Sequence, residues 1–436
     1  MNQAIASDLA RLDRLPRWPW SRGLLVNLGG SFFFAFFDIV VIGASLPVIA
    51  DQFGVTSAQS GLAITAGLVG LVIGSFAGAY LASKKSRVLA LQTALWGFSL
   101  GMVLSVFAPN LTWLIVARFI AGLGTGADIA VVVTYVAEVS PLRARGRITG
   151  FTTICGYVGI AIVPFLALIL VDNYSWGWRA LFAFGALGAV LVVLTRRHMP
   201  PSPRMLANEG DAKALGSLVD EAEQRVKARV GELPPVTPSA PDEEIKHRPR
   251  LWLVGIFTIA WFFYYIGNYG WLTVAPTILT DSGMAITASL GFLAVANLGL
   301  VVGAVASYFL AERVERKWLL IGTLVVWSVA LGGIGVLDTS SAIMVLGFVA
   351  AFTIGLTVPI FYAFTSEHFS SRLRPWGMAW TDGLGHLGGA IAPYLLIGPT
   401  LAVSFSLMGA TGLLAAFLLL FASRTRGKSL EELAGD

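Results

Sequence analysis

The sequence is short of charge and of cysteine. Only 13% of its 436 residues are Asp, Glu, Lys or Arg, whereas a soluble globular domain is about one-quarter charged. The one cysteine, Cys155, has no second cysteine to pair with, so an intramolecular disulfide is excluded. The scarcity of charge excludes an ordinary soluble protein.

Histidine is scarce too, and the four that are present have no metal-ligand spacing. The sequence contains no phosphate-binding glycine loop and no set of nucleophile, base and acid that could form an active site. We therefore expect neither an enzyme nor a resident metal or cofactor. The net charge of +5 would suit a nucleic-acid-binding protein, but the placement of the basic residues explains it differently.

Long apolar runs fill most of the chain. Hydrophobic residues make up 56% of it, and a helix needs about 20 apolar residues to cross about 30 Å of hydrocarbon. Only helices or closed barrels can cross without stranding backbone polar groups, and these runs are too long and continuous for barrel strands. We predict twelve transmembrane helices, at 24–50, 59–82, 88–108, 111–138, 146–171, 178–195, 251–279, 285–311, 317–337, 341–366, 375–398 and 401–423.

The basic residues fall on one side of these spans. Of the 30 Lys and Arg residues, 28 lie before span 1, after an even-numbered span, or after span 12. The exceptions are Arg179, in an odd-numbered loop, and Arg118, inside span 4. Because basic loops stay in the cytoplasm, both termini are predicted to be cytoplasmic. This asymmetry accounts for the positive net charge without a nucleic-acid partner.

One long polar segment divides the chain. Within it, apolar residues recur at helical spacing from 215 to 230, which predicts an amphipathic helix, and PPVTPSAP follows as an extended linker. We predict a cytoplasmic leader at 1–23, a six-helix bundle at 24–195, a cytoplasmic loop at 196–250, a second six-helix bundle at 251–423 and a cytoplasmic tail at 424–436.

The two halves repeat each other weakly. Glu138 ends span 4 and Arg145 follows it by seven residues, while Glu367 ends span 10 and Arg374 follows it by seven. Matching offsets in corresponding loops indicate duplicated six-helix units. Such units commonly bind a solute between them, near the middle of the membrane.

Several motifs occur in the order of a known family. The segment at 118–147 contains R-x-x-x-G and then E-x-x-P-x-x-x-R-G, and Trp178-Arg179 is followed by PPSPRML at 200–206. On these residues the chain resembles the major facilitator superfamily over essentially its whole length, with the sugar-porter and metabolite:proton symporter branches most similar. RLDRLP in the leader and FFYYIGNYGWLTVAPTIL in span 7 resemble niacin- and aromatic-acid-type permeases. The resemblance implies a multi-pass transporter of the plasma (inner) membrane with the major facilitator fold.

The loop motifs depart from the family pattern. The family's G-x-x-x-D-R-x-G-R-R loop after span 2 lacks its acid here, because Ser83 precedes Lys84, and the span 5 motif G-x-x-x-G-P of antiporters is absent. The first departure would weaken the cytoplasmic gate, and the second weighs against drug–proton antiport. The resemblance implies a gate made of Lys84, Arg87, Glu138, Arg145, Glu312, Arg313, Glu367 and Arg374.

Two ionisable residues lie deep in the first half, where an ionised side chain costs about 2.5–3.5 kcal/mol. Asp38 lies near the middle of span 1 among phenylalanines, and such a carboxyl can load and release a proton as the cavity alternates. Arg118 is its natural partner, and the resemblance implies that this pair couples proton movement to transport. A helix-capping Asp38 and a purely structural salt bridge are the alternatives.

Candidate solute-binding residues concentrate on span 7. Tyr264, Tyr265, Asn268 and Tyr269 place hydroxyls and an amide deep in hydrocarbon, where polar groups need partners. The family resemblance also implies solute contacts on this span. The alternative for such an aromatic stripe is packing or lipid contact.

Three further residues are candidates on other spans. Asp128 faces a different direction from Arg118 on span 4 and could bind solute or pair elsewhere. His386 titrates near neutral pH and shares a face of span 11 with Asp382, which is nearer the cytoplasm and the weaker candidate. Asn297 on span 8 is a weaker solute-binding candidate.

These features predict a secondary active transporter that couples proton entry to uptake of a small organic solute by alternating access. Aromatic lining with one deep arginine favours an aromatic organic acid. Sugar or polyol symport and drug or metabolite efflux are alternatives within the same class. A non-transporting membrane receptor is the different-class alternative. We expect the partners to be the solute, protons and the lipid bilayer, and the functional unit to be a monomer.

Overall fold

The structure is a computed structural model that describes residues 3–195, 199–236, 251–310, 313–337, 340–369 and 374–424. Throughout these ranges the regular structure is helical. In the first half the helices are α1 (Gln3–Asp13), α2 (Arg22–Phe53), α3 (Ser57–Ser60), α4 (Leu62–Lys84), α5 (Arg87–Val106), α6 (Leu111–Val139), α7 (Leu142–Leu170), α8 (Gly177–Thr195), α9 (Pro203–Glu209) and α10 (Ala212–Val230).

Two helices of the second half contain π-helical turns. One π-helical turn is Gly270–Val274 and the other is Ala379–Gly383. The helices are α11 (Leu251–Tyr269), α12 (Ala275–Asp281), α13 (Ile286–Leu310), α14 (Arg316–Val336), α15 (Ser340–Glu367), α16 (Arg374–Met378), α17 (Leu384–Leu396) and α18 (Leu401–Leu419).

The predicted twelve-helix membrane fold is confirmed. Ten helical segments of the described ranges are long and apolar enough to cross a bilayer, and Gly177–Val192 is a shorter apolar helix. The remaining crossing runs from α16 through the π turn to α17. It is interrupted because TDGLGHLGG supplies an acid and four glycines, which disfavour an uninterrupted apolar helix.

The six-helix repeat is visible in how equivalent helices pack. In the first bundle α4 lies so close to α6 that a Cβ on Gly74 would be 2.1 Å from the carbonyl oxygen of Leu123. In the second bundle α13 meets α15 in the same way, with 2.0 Å between a Cβ on Gly303 and the carbonyl oxygen of Phe352. Small residues at such crossings let helix backbones approach closely in a membrane.

The two bundles are joined at their outer ends. Ser57 Oγ, at the start of α3, donates a 2.9 Å hydrogen bond to Asp281 Oδ1 at the end of α12. Thr65 Oγ1 of α4 donates to the carbonyl oxygen of Ala390 of α17 at 2.7 Å. These bonds hold the outer side of the molecule closed.

On the cytoplasmic side, α1 packs against α10. The apolar faces of both helices join one buried cluster, which includes Ile5, Leu12, Leu215 and Val219. This cluster also contains Trp20, whose indole nitrogen donates a 2.9 Å hydrogen bond to the carbonyl oxygen of Val139. Helices α1 and α10 are therefore docked on the inner end of the first bundle.

Candidate functional site

The first half contains a buried ion pair at its centre. Asp38 is contributed by α2 and Arg118 by α6, and they are 2% and 3% exposed. Arg118 Nη1 donates to Asp38 Oδ1 at 2.5 Å, and Nη2 donates to Oδ2 at 3.0 Å. This two-pronged geometry suits a guanidinium and a carboxylate. Removing one partner of such a pair is expected to cost about 3–5 kcal/mol.

A neighbouring hydroxyl adds a hydrogen bond to the carboxylate, whereas one nitrogen of the guanidinium has no such partner among the described residues. Thr125 Oγ1 donates a further bond to Asp38 Oδ2 at 3.2 Å, and Phe182 lies 5.6 Å from the guanidinium carbon of Arg118. Arg118 Nε is buried and has no hydrogen-bond partner among the described residues. The arginine therefore keeps one donor that an incoming acceptor could use.

A small cavity lies beside the pair and reaches the other half. Its volume is about 20 Å³, and its lining includes Asp38, Arg118, Thr125 and Thr273, the last from the π turn after α11. A water needs about 10–15 Å³ of such space and a few polar partners. The ion pair thus faces the contact between the two bundles, beside a space large enough for about one water.

The second half contains an aromatic cluster around a second acid. Tyr265 Oη of α11 donates a 2.6 Å hydrogen bond to Asp382 Oδ1 in the π turn before α17. The hydroxyl of Tyr362, from α15, is 3.4 Å from that of Tyr265. His386 stacks on Tyr265 with 4.1 Å between ring centres, and Tyr269 lies 5.8 Å from the same imidazole.

Glycines on α17 allow this cluster to assemble. A Cβ on Gly388 would lie 2.0 Å from the carbonyl oxygen of Phe262, and one on Gly389 would lie 2.2 Å from the Tyr269 ring. The backbones of α17 and α11 therefore touch, which brings Asp382 and His386 next to the tyrosines. Both π turns border the cluster, and single π turns within helices are frequent at functional sites.

Two predicted solute-binding residues, Asn268 on span 7 and Asn297 on span 8, make contacts inside the second half. Asn268 Nδ2 donates a 2.7 Å hydrogen bond to Tyr264 Oη, one turn earlier on α11. Asn297 of α13 accepts a 3.1 Å bond from the indole nitrogen of Trp271. Both amides therefore satisfy partners within the protein.

Asp128 lies apart from both clusters. Its carboxylate accepts a hydrogen bond from Ser31 Oγ of α2, and the side chain is 1% exposed. Ten residues separate it from Arg118 on α6, which is about 15 Å along the helix axis. The structure thus places Asp128 nearer the cytoplasmic end of the first bundle.

Three of the residues predicted for the cytoplasmic gate take part in two equivalent ion pairs. Arg87, at the start of α5, bonds Glu138, at the end of α6, at 2.9 Å. Arg316, at the start of α14, bonds Glu367, at the end of α15, at 2.6 Å. Each pair braces the inner end of one bundle. Arg316 was not among the predicted residues, although its place in the repeat matches that of Arg87.

The other predicted gate residues are less engaged. Lys84 and Arg313 are exposed at the cytoplasmic surface. Arg145 lies 3.9 Å from Asp13 at the end of α1 and donates to the carbonyl oxygen of Ser140 at 3.4 Å. Glu312 and the side chain of Arg374 lie outside the described residues.

The sequence analysis gave little weight to two residues of the aromatic cluster. Tyr362 was not a candidate, and Asp382 was ranked below His386. The signal for Tyr362 is a hydroxyl inside the apolar run of span 10. The signal for Asp382 is an acid followed by glycines, which is unusual inside a membrane span. Among the described residues, no three His, Cys, Asp or Glu side chains are grouped to hold a metal ion.

Twelve membrane helices in two matching bundles, with an ion pair buried where the bundles meet, define a membrane transporter. The sequence profile described as Major Facilitator Superfamily matches residues 28–393. The chain belongs to this superfamily, and it is therefore a secondary transporter of small solutes in the plasma membrane and not an enzyme.

Curated relatives match along nearly the whole chain. The niacin transporter NiaP of Acinetobacter baylyi is 27% identical, over 98% of this chain and 99% of its own. The gallate transporter of Pseudomonas putida is 28% identical over 88% of each chain. Among solved structures, the inward-open xylose transporter XylE from E. coli has a TM-score of 0.73 at 22% identity, covering 96% of this chain and 99% of that one.

Proposed function

We propose that this protein imports a small aromatic carboxylic acid together with a proton. The observation that carries the proposal is the buried pair of Asp38 and Arg118, which faces the cavity at the contact between the two bundles. In this proposal Asp38 is the proton-coupling carboxylate. Arg118 binds the carboxylate of the solute.

The proton and the solute would cooperate through Arg118. When Asp38 is ionised, both terminal nitrogens of the guanidinium are occupied by its carboxylate. Protonation of Asp38 weakens this pair and leaves a buried cation in need of an anion. A solute carboxylate can then take the place of Asp38, so one proton and one anion bind together.

The aromatic side chains clustered in the second half support the prediction of an aromatic solute. Tyr265 and Tyr269 of α11 lie beside His386 of α17, and Trp261 stacks on Tyr265 at 5.1 Å. Flat rings of this kind pack well against another aromatic ring. Three relatives are named for niacin, gallate and benzoate, which supports the same solute class.

Sugar symport is the second candidate, because one relative is named an arabinose-proton symporter and is 27% identical. A sugar needs several polar groups that are free to form hydrogen bonds with its hydroxyls. The amides of Asn268 and Asn297 are already bonded to Tyr264 and Trp271. The remaining rings suit a flat solute better than a sugar.

Transport by purified protein in lipid vesicles tests the proposal. Vesicles with an alkaline lumen should accumulate radiolabelled benzoate or pyridine-3-carboxylate faster than protein-free vesicles, which take up the neutral acids passively, and a protonophore should abolish the accumulation. Arabinose and xylose should not compete. Accumulation that depends on the membrane potential but not on the pH difference would contradict proton coupling, and accumulation of the sugars alone would favour the second candidate.

A further inference from the structure

Asp382 is a partly buried acid that the proposed coupling pair does not use. Its side chain is 17% exposed and accepts the hydrogen bond from Tyr265. His386 Nδ1 lies 3.8 Å from Asp382 Oδ1, and within the part of the chain that the structure describes no Lys or Arg side chain forms an ion pair with this acid. A carboxylate at this depth in a membrane is costly without a cation nearby. The site therefore favours a ligand that brings a positively charged or proton-bearing group.

His386 supplies a second acceptor next to this acid. Its Nδ1 lies 2.8 Å from the carbonyl oxygen of Asp382, one turn earlier on the same helix. An imidazole nitrogen can bond a carbonyl oxygen only as a donor, so Nδ1 carries the hydrogen and Nε2 is the acceptor of the neutral ring. No described residue makes a hydrogen bond to Nε2.

The aromatic rings around the acid also favour a positively charged ligand. Trp261, Tyr265 and Tyr269 present ring faces or edges to one another and to His386. The face of an aromatic ring attracts a cation, and the effect is larger where water is excluded. A cationic ring bound at the carboxylate would lie next to these rings, whose faces largely contact one another.

The cluster lies where the two bundles meet. A Cβ on Gly383, the residue after Asp382, would be 3.6 Å from Ser75 Oγ of α4 in the first bundle. On α11, Tyr265 precedes Thr273, which borders the Asp38 cavity, by eight residues, or about 12 Å at helical rise. The same contact between bundles thus has a cationic group, Arg118, toward its outer part and an acidic group, Asp382, toward its inner part.

We propose that Asp382 binds a ring nitrogen of the solute and that His386 positions Asp382 through its Nδ1 bond to the Asp382 backbone, so that the transporter selects nitrogen-containing aromatic acids over carbocyclic ones. This inference rests on the proposed function and specifies its solute. In the complex one proton lies between the ring nitrogen and the Asp382 carboxylate. Before binding, this proton is carried either by the ring nitrogen or by the Asp382 carboxyl group. Binding changes no other covalent bond.

Binding of two matched ligands to the purified full-length protein tests the inference. Pyridine-3-carboxylate and benzoate have the same shape and differ by one ring atom. The wild-type protein should bind pyridine-3-carboxylate at least about tenfold more tightly, as expected for one additional charged hydrogen bond. In Asp382→Asn the ratio of the two dissociation constants should fall to within about threefold of one.

Controls separate the possible failures. Asp51→Asn makes the same chemical change at the exposed outer end of α2 and should keep the wild-type ratio. His386→Phe keeps a stacking ring without either nitrogen, and it should also lower the ratio of the two dissociation constants. This second variant tests the inference if Asp382→Asn does not fold. Equal wild-type affinities for the two ligands, or an unchanged ratio in the folded variants, would overturn the inference alone. Failure of the wild-type protein to bind either ligand would overturn the proposed solute class as well.

Discussion

The backbone of Gly43 in α2 touches the backbone of Thr273 across the contact between the two bundles. A Cβ on Gly43 would lie 2.3 Å from the carbonyl oxygen of Thr273, a distance at which one helix must move. Gly43 is five residues beyond Asp38, toward the outer end of the same helix. The packing that closes the outer side therefore lies directly next to the proposed coupling site.

Gly43→Ala should open the outer side of the transporter. The added methyl group cannot fit against backbone atoms, so the closed arrangement is disfavoured relative to an outward-open one. A cysteine placed at Asn297 or His386 should then react faster with a membrane-impermeant thiol reagent added outside, in a background that lacks Cys155.

Gly255→Ala is the matched control for this change. Gly255 lies in α11 with open space where its Cβ would be, so labelling should stay at the wild-type rate. Equal labelling of the Gly43→Ala and Gly255→Ala proteins would show that the contact with Thr273 does not hold the outer side closed.

Tyr265 and Asn268 should have different roles, although they are three residues apart. Asn268→Ala leaves the buried hydroxyl of Tyr264 without its donor, which costs about 1–3 kcal/mol. Its melting temperature should fall while solute affinity stays near wild type. Tyr265→Phe keeps the ring but loses the bond to Asp382, so solute affinity should fall about fivefold.

Thermal unfolding and binding measured on the same preparations decide between these roles. The span 7 pattern alone predicted solute contacts for both residues. If Asn268→Ala weakens binding as much as Tyr265→Phe and leaves the melting temperature unchanged, Asn268 contacts the solute and its bond to Tyr264 is incidental.

The docking of α1 on α10 should depend on Glu223. This carboxylate bonds Arg11 at 2.7 Å and Arg14 at 2.6 Å. Burial acts to raise the pKa of Glu223, but the hydrogen bonds from the two arginines outweigh it, and the pKa is lowered. A lowered pKa means that the contribution to stability is fully present above the ordinary glutamate pKa of about 4.3 and is lost as pH falls through the lowered value.

Glu223→Gln should loosen α1 at neutral pH. We expect a loss of about 1 kcal/mol for a partly exposed network of this kind, and hence about fivefold faster hydrogen exchange of the α1 amides. Glu221→Gln is the control, because Glu221 pairs with Arg225 within α10 and does not contact α1. Equal exchange rates in both variants would mean that the apolar cluster alone holds α1.

The fold could be predicted from sequence because hydrocarbon imposes two strong constraints. Spans must be long and apolar, and basic loops must stay in the cytoplasm. The placement of 28 of 30 basic residues therefore allowed only one inside–outside assignment of the loops. The pairing of Asp38 with Arg118 was also predictable, since few ionised groups lie deep enough to be partners. Their role in coupling remains a proposal.

The aromatic cluster was harder to predict, because it depends on packing between distant spans. Nothing local in the sequence indicates that Tyr362 approaches Tyr265 or that Asn297 is bonded to Trp271. Helical periodicity shows which residues share a face but not which helix that face meets. The π turn at Asp382 moves the residues of span 11 around the helix axis, so their positions could not be read from a regular helix.

The measurement that tests the coupling mechanism most directly compares two kinds of transport in vesicles containing Asp38→Asn. Asparagine imitates the protonated, neutral side chain, so Arg118 stays available and solute binding persists. The variant should therefore exchange labelled solute across the membrane in counterflow but fail to accumulate it under a pH gradient, whereas Asp51→Asn should do both. If Asp38→Asn vesicles concentrate solute under the gradient as the wild type does, Asp38 is not the coupling carboxylate and the account is wrong at its centre.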